Sequence, residues 1–106
     1  MLNLLIDMLT ISNLKKDLKK KASSQRAKNL QRFFKTGPGE YGEGDVFLGV
    51  VVPDIRNTAK KYGGLKLEDV VKLLHSKFHE ERLAALFIMV NKFRNGKKDK
   101  VKNSAD

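Results

Sequence analysis

Leu4, Met8, Ile11 and Leu18 recur at helical spacing, which predicts an amphipathic helix over residues 2–21 with Lys15, Lys16, Lys19 and Lys20 on its polar side. Ser23 or Ser24 offers an N-cap for a second helix. There Ala27, Leu30 and Phe34 make the apolar stripe, and Lys28, Arg32 and Lys35 stand beside it at i, i+4, i+7. Gly37 and Pro38 close that helix. Pro53 opens a third, because its ring presets φ and its missing N–H is not needed in a first turn. Asp54 sits at the positive end of the dipole, Ile55, Ala59 and Tyr62 form the buried face, and Gly63-Gly64 ends the helix. A fourth helix over 67–76 shows Leu67, Val70, Val71 and Leu74, with Glu68 and Asp69 in its first turn. A fifth over 79–95 opens with His79-Glu80-Glu81, buries Leu83, Leu86, Phe87 and Val90, and finishes at Gly96. Ala84, Ala85, Ile88 and Met89 lie off that stripe, so this helix is apolar nearly all round and calls for neighbours on two sides.

Only Val46–Val52 has strand-like composition, and a single strand makes no sheet. It reads as an extended segment that tucks Phe47, Leu48 and one or two valines under the helices. The expected fold is all-α: antiparallel helix pairs, about five helices, in one domain over residues 1–96. Residues 97–106, KKDKVKNSAD, lack periodicity and read as a basic disordered tail.

Composition sharpens this picture in two places. Hydrophobic residues are 41% and charged residues 32% of the chain, as in a folded domain, and Cys is absent, which removes disulfides and thiolate metal sites. No stretch reaches the ~20 apolar residues of a membrane span, so a cytoplasmic protein without a membrane partner is expected. The net charge is +10, and residues 1–36 hold nine Lys/Arg against Asp7 and Asp17. Charge concentrated in this way is the footprint of a polyanion partner.

Three patterns that suggest chemistry lead elsewhere. Gly37-Pro38-Gly39-Glu40-Tyr41-Gly42 spells G-x-G-x-x-G, but a phosphate cradle needs a strand before it and a helix opening at its last glycine. Here a helix precedes, an extended segment follows, and Glu40, Glu43 and Asp45 would stand among the phosphates. His75 and His79 are four apart, but they straddle a turn and lack the further ligands that a metal needs. With two His and no Cys, no nucleophile–base set can be named. Neither a cofactor nor a metal is expected. The strongest feature is the basic stripe Lys28/Arg32/Lys35 together with Lys16, Lys19 and Lys20. Phe33 is either a surface stacking residue or, as is commoner for Phe, part of the core.

Long stretches then resemble a known family. LQRFFKTGPGE (Leu30–Glu40), YGEGDVFLGVVVPDIRNTAKKY (Tyr41–Tyr62) and LLHSKFHEERLAALFIMVNKF (Leu73–Phe93) are similar to the N-terminal part of AlkD-like DNA alkylation repair proteins. The resemblance runs from about Leu14 to Gly96. It implies a HEAT-like α-α superhelix whose basic concave surface holds double-stranded DNA by its phosphate backbone, in a family of glycosylases that remove alkylated purines. The family's catalytic residues lie in later repeats, around a W-D-x-V-D-like segment, and this chain has no Trp. No catalytic residue is therefore carried over, and the chain alone is expected to be inactive. Val51-Val52-Pro53 matches a DNA-facing turn in which valines replace polar residues, leaving Arg56, Lys60 and Lys61 as the nearby cations. The expected DNA-binding set is Lys16, Lys20, Lys28, Arg32, Lys35, Arg56, Lys60 and Lys61. The alternative is a HEAT-like interaction module whose apolar last helix pairs with itself in a homodimer, or with another chain that supplies further repeats.

Overall fold

The computed structural model describes the backbone of residues 8–40 and 42–104, and the side chains of these residues as far as Arg94. Five helices make up the described residues: α1 Ile11–Lys20, α2 Ser24–Phe33, α3 Val52–Lys61, α4 Leu67–Leu74 and α5 His79–Ser104. The fold is all-α, as the periodicity indicates. Its only ladder contact among the described residues is an isolated parallel bridge between Val46 and Phe78.

α1 begins later than its spacing suggests. Thr10 has extended backbone, and its hydroxyl accepts from the Asn13 N–H, so it caps the helix at Ile11. Leu4 lies outside the described residues, Met8 is exposed, and the buried residues are Leu14 and Leu18. α2 starts as expected, with the Ser23 hydroxyl accepting from the Arg26 N–H. It stops at Phe33, and Lys35 then takes φ +52, so the turn comes before Gly37.

α3 carries Pro53 in its first turn and buries Ile55, Ala59 and Tyr62, with Thr58 added. In α4 the buried pair is Val70 and Leu73, while Leu67 and Val71 face outward. In α5 the expected stripe is only half borne out, since Leu83 and Phe87 are partly buried against the core. Ala84, Ala85 and Ile88 are fully buried, and Leu86 and Val90 are exposed. Two alanines let α5 approach closely, and it packs along both α3 and α4 while α1 lies against all three. Gly96 does not end α5, since its backbone stays helical to Ser104. A helical glycine costs only about 1 kcal/mol. The expected basic tail thus begins within this helix, and its side chains lie outside the described residues.

Residues 46–50 are the extended segment that the composition suggests, with Phe47 and Val50 buried. Glu80 holds this segment from beneath. Its carboxylate is 1% exposed and accepts the backbone N–H of Leu48 at 2.8 Å, of Gly49 at 2.8 Å and of Val50 at 3.1 Å. A buried carboxylate is tolerated only with such partners. The other side of the segment carries α2. The Gly49 carbonyl accepts from the Ser23 N–H at 3.0 Å and from Arg26 Nη1 at 2.7 Å. Gly49 has φ +85, and a Cβ there would lie 2.0 Å from the Ser23 carbonyl oxygen, so no larger residue fits. α2 is thereby docked on the segment rather than on a helix.

Candidate nucleic-acid interface

The predicted cations fall into two settings. Lys16 and Lys20 on α1 meet Lys61 on α3 around Asp17, along an open groove of about 550 Å³ that Tyr62 and Leu9 also line. Asp17 organises the group. Its Oδ2 accepts from the Tyr62 hydroxyl at 2.5 Å and from Lys61 Nζ at 3.1 Å, and its Oδ1 lies 3.9 Å from Lys20 Nζ. The Tyr62 hydroxyl, aided by Lys61 and Lys20, holds the Asp17 carboxyl below its ordinary pKa. Burial, then the bond and charge of Asp17, push the Tyr62 hydroxyl up to about 12. Lys20 and Lys61 therefore carry a counter-charge within the protein, although both remain exposed.

α2 presents the other setting. Lys28 and Arg32 are exposed on the helix, and Lys35 is exposed just beyond its end. The i+7 spacing of Lys35 is thus not helical, because its φ of +52 turns the chain away. Among the described residues none of the three makes an ion pair. Acidic residues are absent from positions 18–39, where seven Lys/Arg occur. Arg26, which charge counting did not single out, is the cation here with a structural bond, to Gly49.

Arg56 and Lys60 on α3 are exposed, and the Arg56 guanidinium lies 4.9 Å from the Phe87 ring centre on α5. Val51, the N-cap of α3, and Val52, its first residue, are 37% and 46% exposed.

A second carboxylate node was also missed by the sequence reading. Asp45 accepts from Arg82 Nη2 at 2.5 Å, and its Oδ2 lies 3.3 Å from His79 Nδ1. Burial works against its ionisation, yet Arg82 and His79 together keep its carboxyl below the ordinary value. The cue was the pairing of a loop acid with the first turn of α5, thirty-odd residues away, which no local pattern carries. Next to it the rings of Phe34, Phe47 and His79 form a three-way cluster, with centres 5.3 Å (Phe34–Phe47), 4.6 Å (Phe47–His79) and 5.9 Å (Phe34–His79) apart.

The glycine loop has the flanks expected of it, with α2 before and the extended segment after. Among the described residues no cluster of three or more His, Asp or Glu could hold a metal, and no helix is long and apolar enough to cross a membrane. His75 forms the C-cap of α4, and His79 is the first residue of α5.

A model of the family described as DNA alkylation repair enzyme matches residues 14–104. Comparison with curated proteins and with solved structures gives no significant match.

Proposed function

The chain belongs to the DNA alkylation repair enzyme family, and from that premise we propose that it forms part of the duplex-DNA-binding surface of a HEAT-like repair superhelix. Lys28, Arg32 and Lys35 contribute most of the phosphate contact, and Lys16, Lys20, Arg56, Lys60 and Lys61 add to it. The observation that carries this reading is the acid-free stretch around α2, whose cations are exposed and make no ion pair among the described residues. Such cations release phosphate counterions without first giving up a protein partner. Contacts of this kind position a duplex and do not select a sequence. No catalytic side chain is assigned to residues 1–96, which act here as one binding domain.

Fluorescence anisotropy of a labelled duplex, titrated at several salt concentrations, tests the reading. Binding should be independent of sequence and weaken steeply with salt. Absence of binding at low salt would remove the proposed function.

A second reading rests on α5. Leu86, Val90 and Phe93, at i, i+4, i+7, are 48%, 45% and 71% exposed. A line of that kind suits a further helix, from another chain or from a second copy. A light-scattering mass that falls from dimer to monomer on Val90→Lys would support it; a wild-type monomer would not.

A further inference from the structure

Phe33, the last residue of α2, is 77% exposed. The ring is nonetheless held. Phe34 meets it edge-on with centres 5.1 Å apart and planes at 83°, and Phe34 itself stacks on the buried Phe47. Phe33 therefore projects from the edge of an aromatic cluster of Phe34, Phe47 and His79. Asn29 stands one helical turn before it and Arg26 two turns before, and Arg32 and Lys35 flank it in sequence. Asn29 also accepts from the Gln25 amide at 3.2 Å. Of these cations Arg26 is bound to the Gly49 carbonyl, whereas Arg32 and Lys35 are exposed and unpaired among the described residues, and no acidic residue occurs in sequence from 18 to 39.

An exposed aromatic face among cations fits a flat aromatic ligand that carries negative charge, and a nucleobase with its phosphates is such a ligand. Paired bases in an intact duplex are stacked inside and out of reach. We propose that Phe33 stacks on an unpaired base of the bound DNA, so that α2 senses lost pairing as well as phosphate. This rests on the DNA-binding reading above. Phe93 provides the contrast: it is 71% exposed, but its line on α5 is formed by Leu86 and Val90.

The chain has no Trp, so Phe33→Trp introduces a single indole at the site, and Phe93→Trp does the same on α5. The probes are a short duplex with one unpaired thymine and the same duplex fully paired, with binding followed independently by anisotropy of a labelled strand. The Phe33→Trp indole should be quenched by the unpaired-thymine duplex more than by the paired one, and the Phe93→Trp indole by neither. Phe33→Ala should weaken binding to the unpaired-thymine duplex about tenfold, with less than about a twofold change for the paired duplex. Phe33→Leu, which keeps apolar bulk without the π face, should behave like Phe33→Ala. Equal losses on both duplexes, or an unquenched indole in a bound complex, would overturn the inference and leave the proposed function standing. If wild type binds neither duplex, both fall. Unchanged affinities with an altered light-scattering mass would assign the ring to a protein contact, and the inference would again fail.

Discussion

The α1–α3 groove and the outer face of α2 are both rich in cations, yet they differ in what those cations already touch. In the groove, Asp17 lies within 3.1 Å of Lys61 Nζ and 3.9 Å of Lys20 Nζ. Lys28 and Arg32 on α2, and Lys35 just beyond it, have no such carboxylate among the described residues. Equal charge in a sequence thus yields unequal attraction for a phosphate, because a paired lysine must exchange one anion for another. The two regions also differ in support. α1 and α3 pack on each other and on α5, whereas α2 depends on Gly49 and, through it, on Glu80.

The largest effect should come from removing that support. Glu80→Ala leaves the N–H groups of Leu48, Gly49 and Val50 buried without their acceptor, at about 1–3 kcal/mol each. We expect a loss of about 4 kcal/mol in urea unfolding, with Glu80→Gln losing about half as much because one oxygen still accepts. Hydrogen exchange should show α2 deprotected before α3, and the reverse order would mean that α2 is docked by something else.

Next in size is the groove's internal bond. Tyr62→Phe removes the hydroxyl donor to Asp17, a hydrogen bond to a charged group worth about 2 kcal/mol. The pH dependence carries a signature. The Tyr62 pKa is raised to about 12 in the folded state, so its contribution is complete below its ordinary value near 10 and is lost as pH rises through about 12. The Asp17 pKa is lowered, so its contribution is present above the ordinary carboxylate range and is lost as pH falls through its folded value. Wild type should therefore lose stability relative to Tyr62→Phe at both extremes. A constant difference from pH 3 to pH 12 would contradict the assignment.

The smallest effect sharpens the comparison most. Asp17→Asn should free Lys20 and Lys61 and make the groove resemble α2. Affinity for duplex DNA should rise about threefold at moderate salt, in keeping with the fraction of a kcal/mol that an exposed ion pair is worth. No rise would show that Asp17 does not restrain these lysines.

Much of the scaffold was legible because its signals are local. The Ser23 cap, the Pro53 start and the Ile55/Ala59/Tyr62 face each depend on residues within one or two turns. α5 was misread because a helix apolar on every side has no phase. Its larger residues Leu86 and Val90 suggested the core, while close packing selected Ala84, Ala85 and Ile88. Glu80 was hidden because the helix dipole already accounts for an acid in a first turn, and its partners are 30–32 residues away. Among the candidate site residues, exposure followed from helical position, but the role of Asp17 between Lys20 and Lys61 did not. That node joins α1 to α3, and only packing brings them together. Phe33 could be placed at the surface only once α2 was seen to bury Ala27 against the extended segment.

The most direct test compares the salt dependence of duplex binding for two triple variants that each remove three positive charges: Lys28→Gln/Arg32→Gln/Lys35→Gln and Lys16→Gln/Lys20→Gln/Lys61→Gln. Each phosphate contact contributes about 0.9 to the slope of log affinity against log salt. The α2 variant should lose about 2–3 from the slope, and the groove variant less than about 1. Equal losses would contradict the account, since the Asp17 pairing would then make no difference to which lysines meet the DNA.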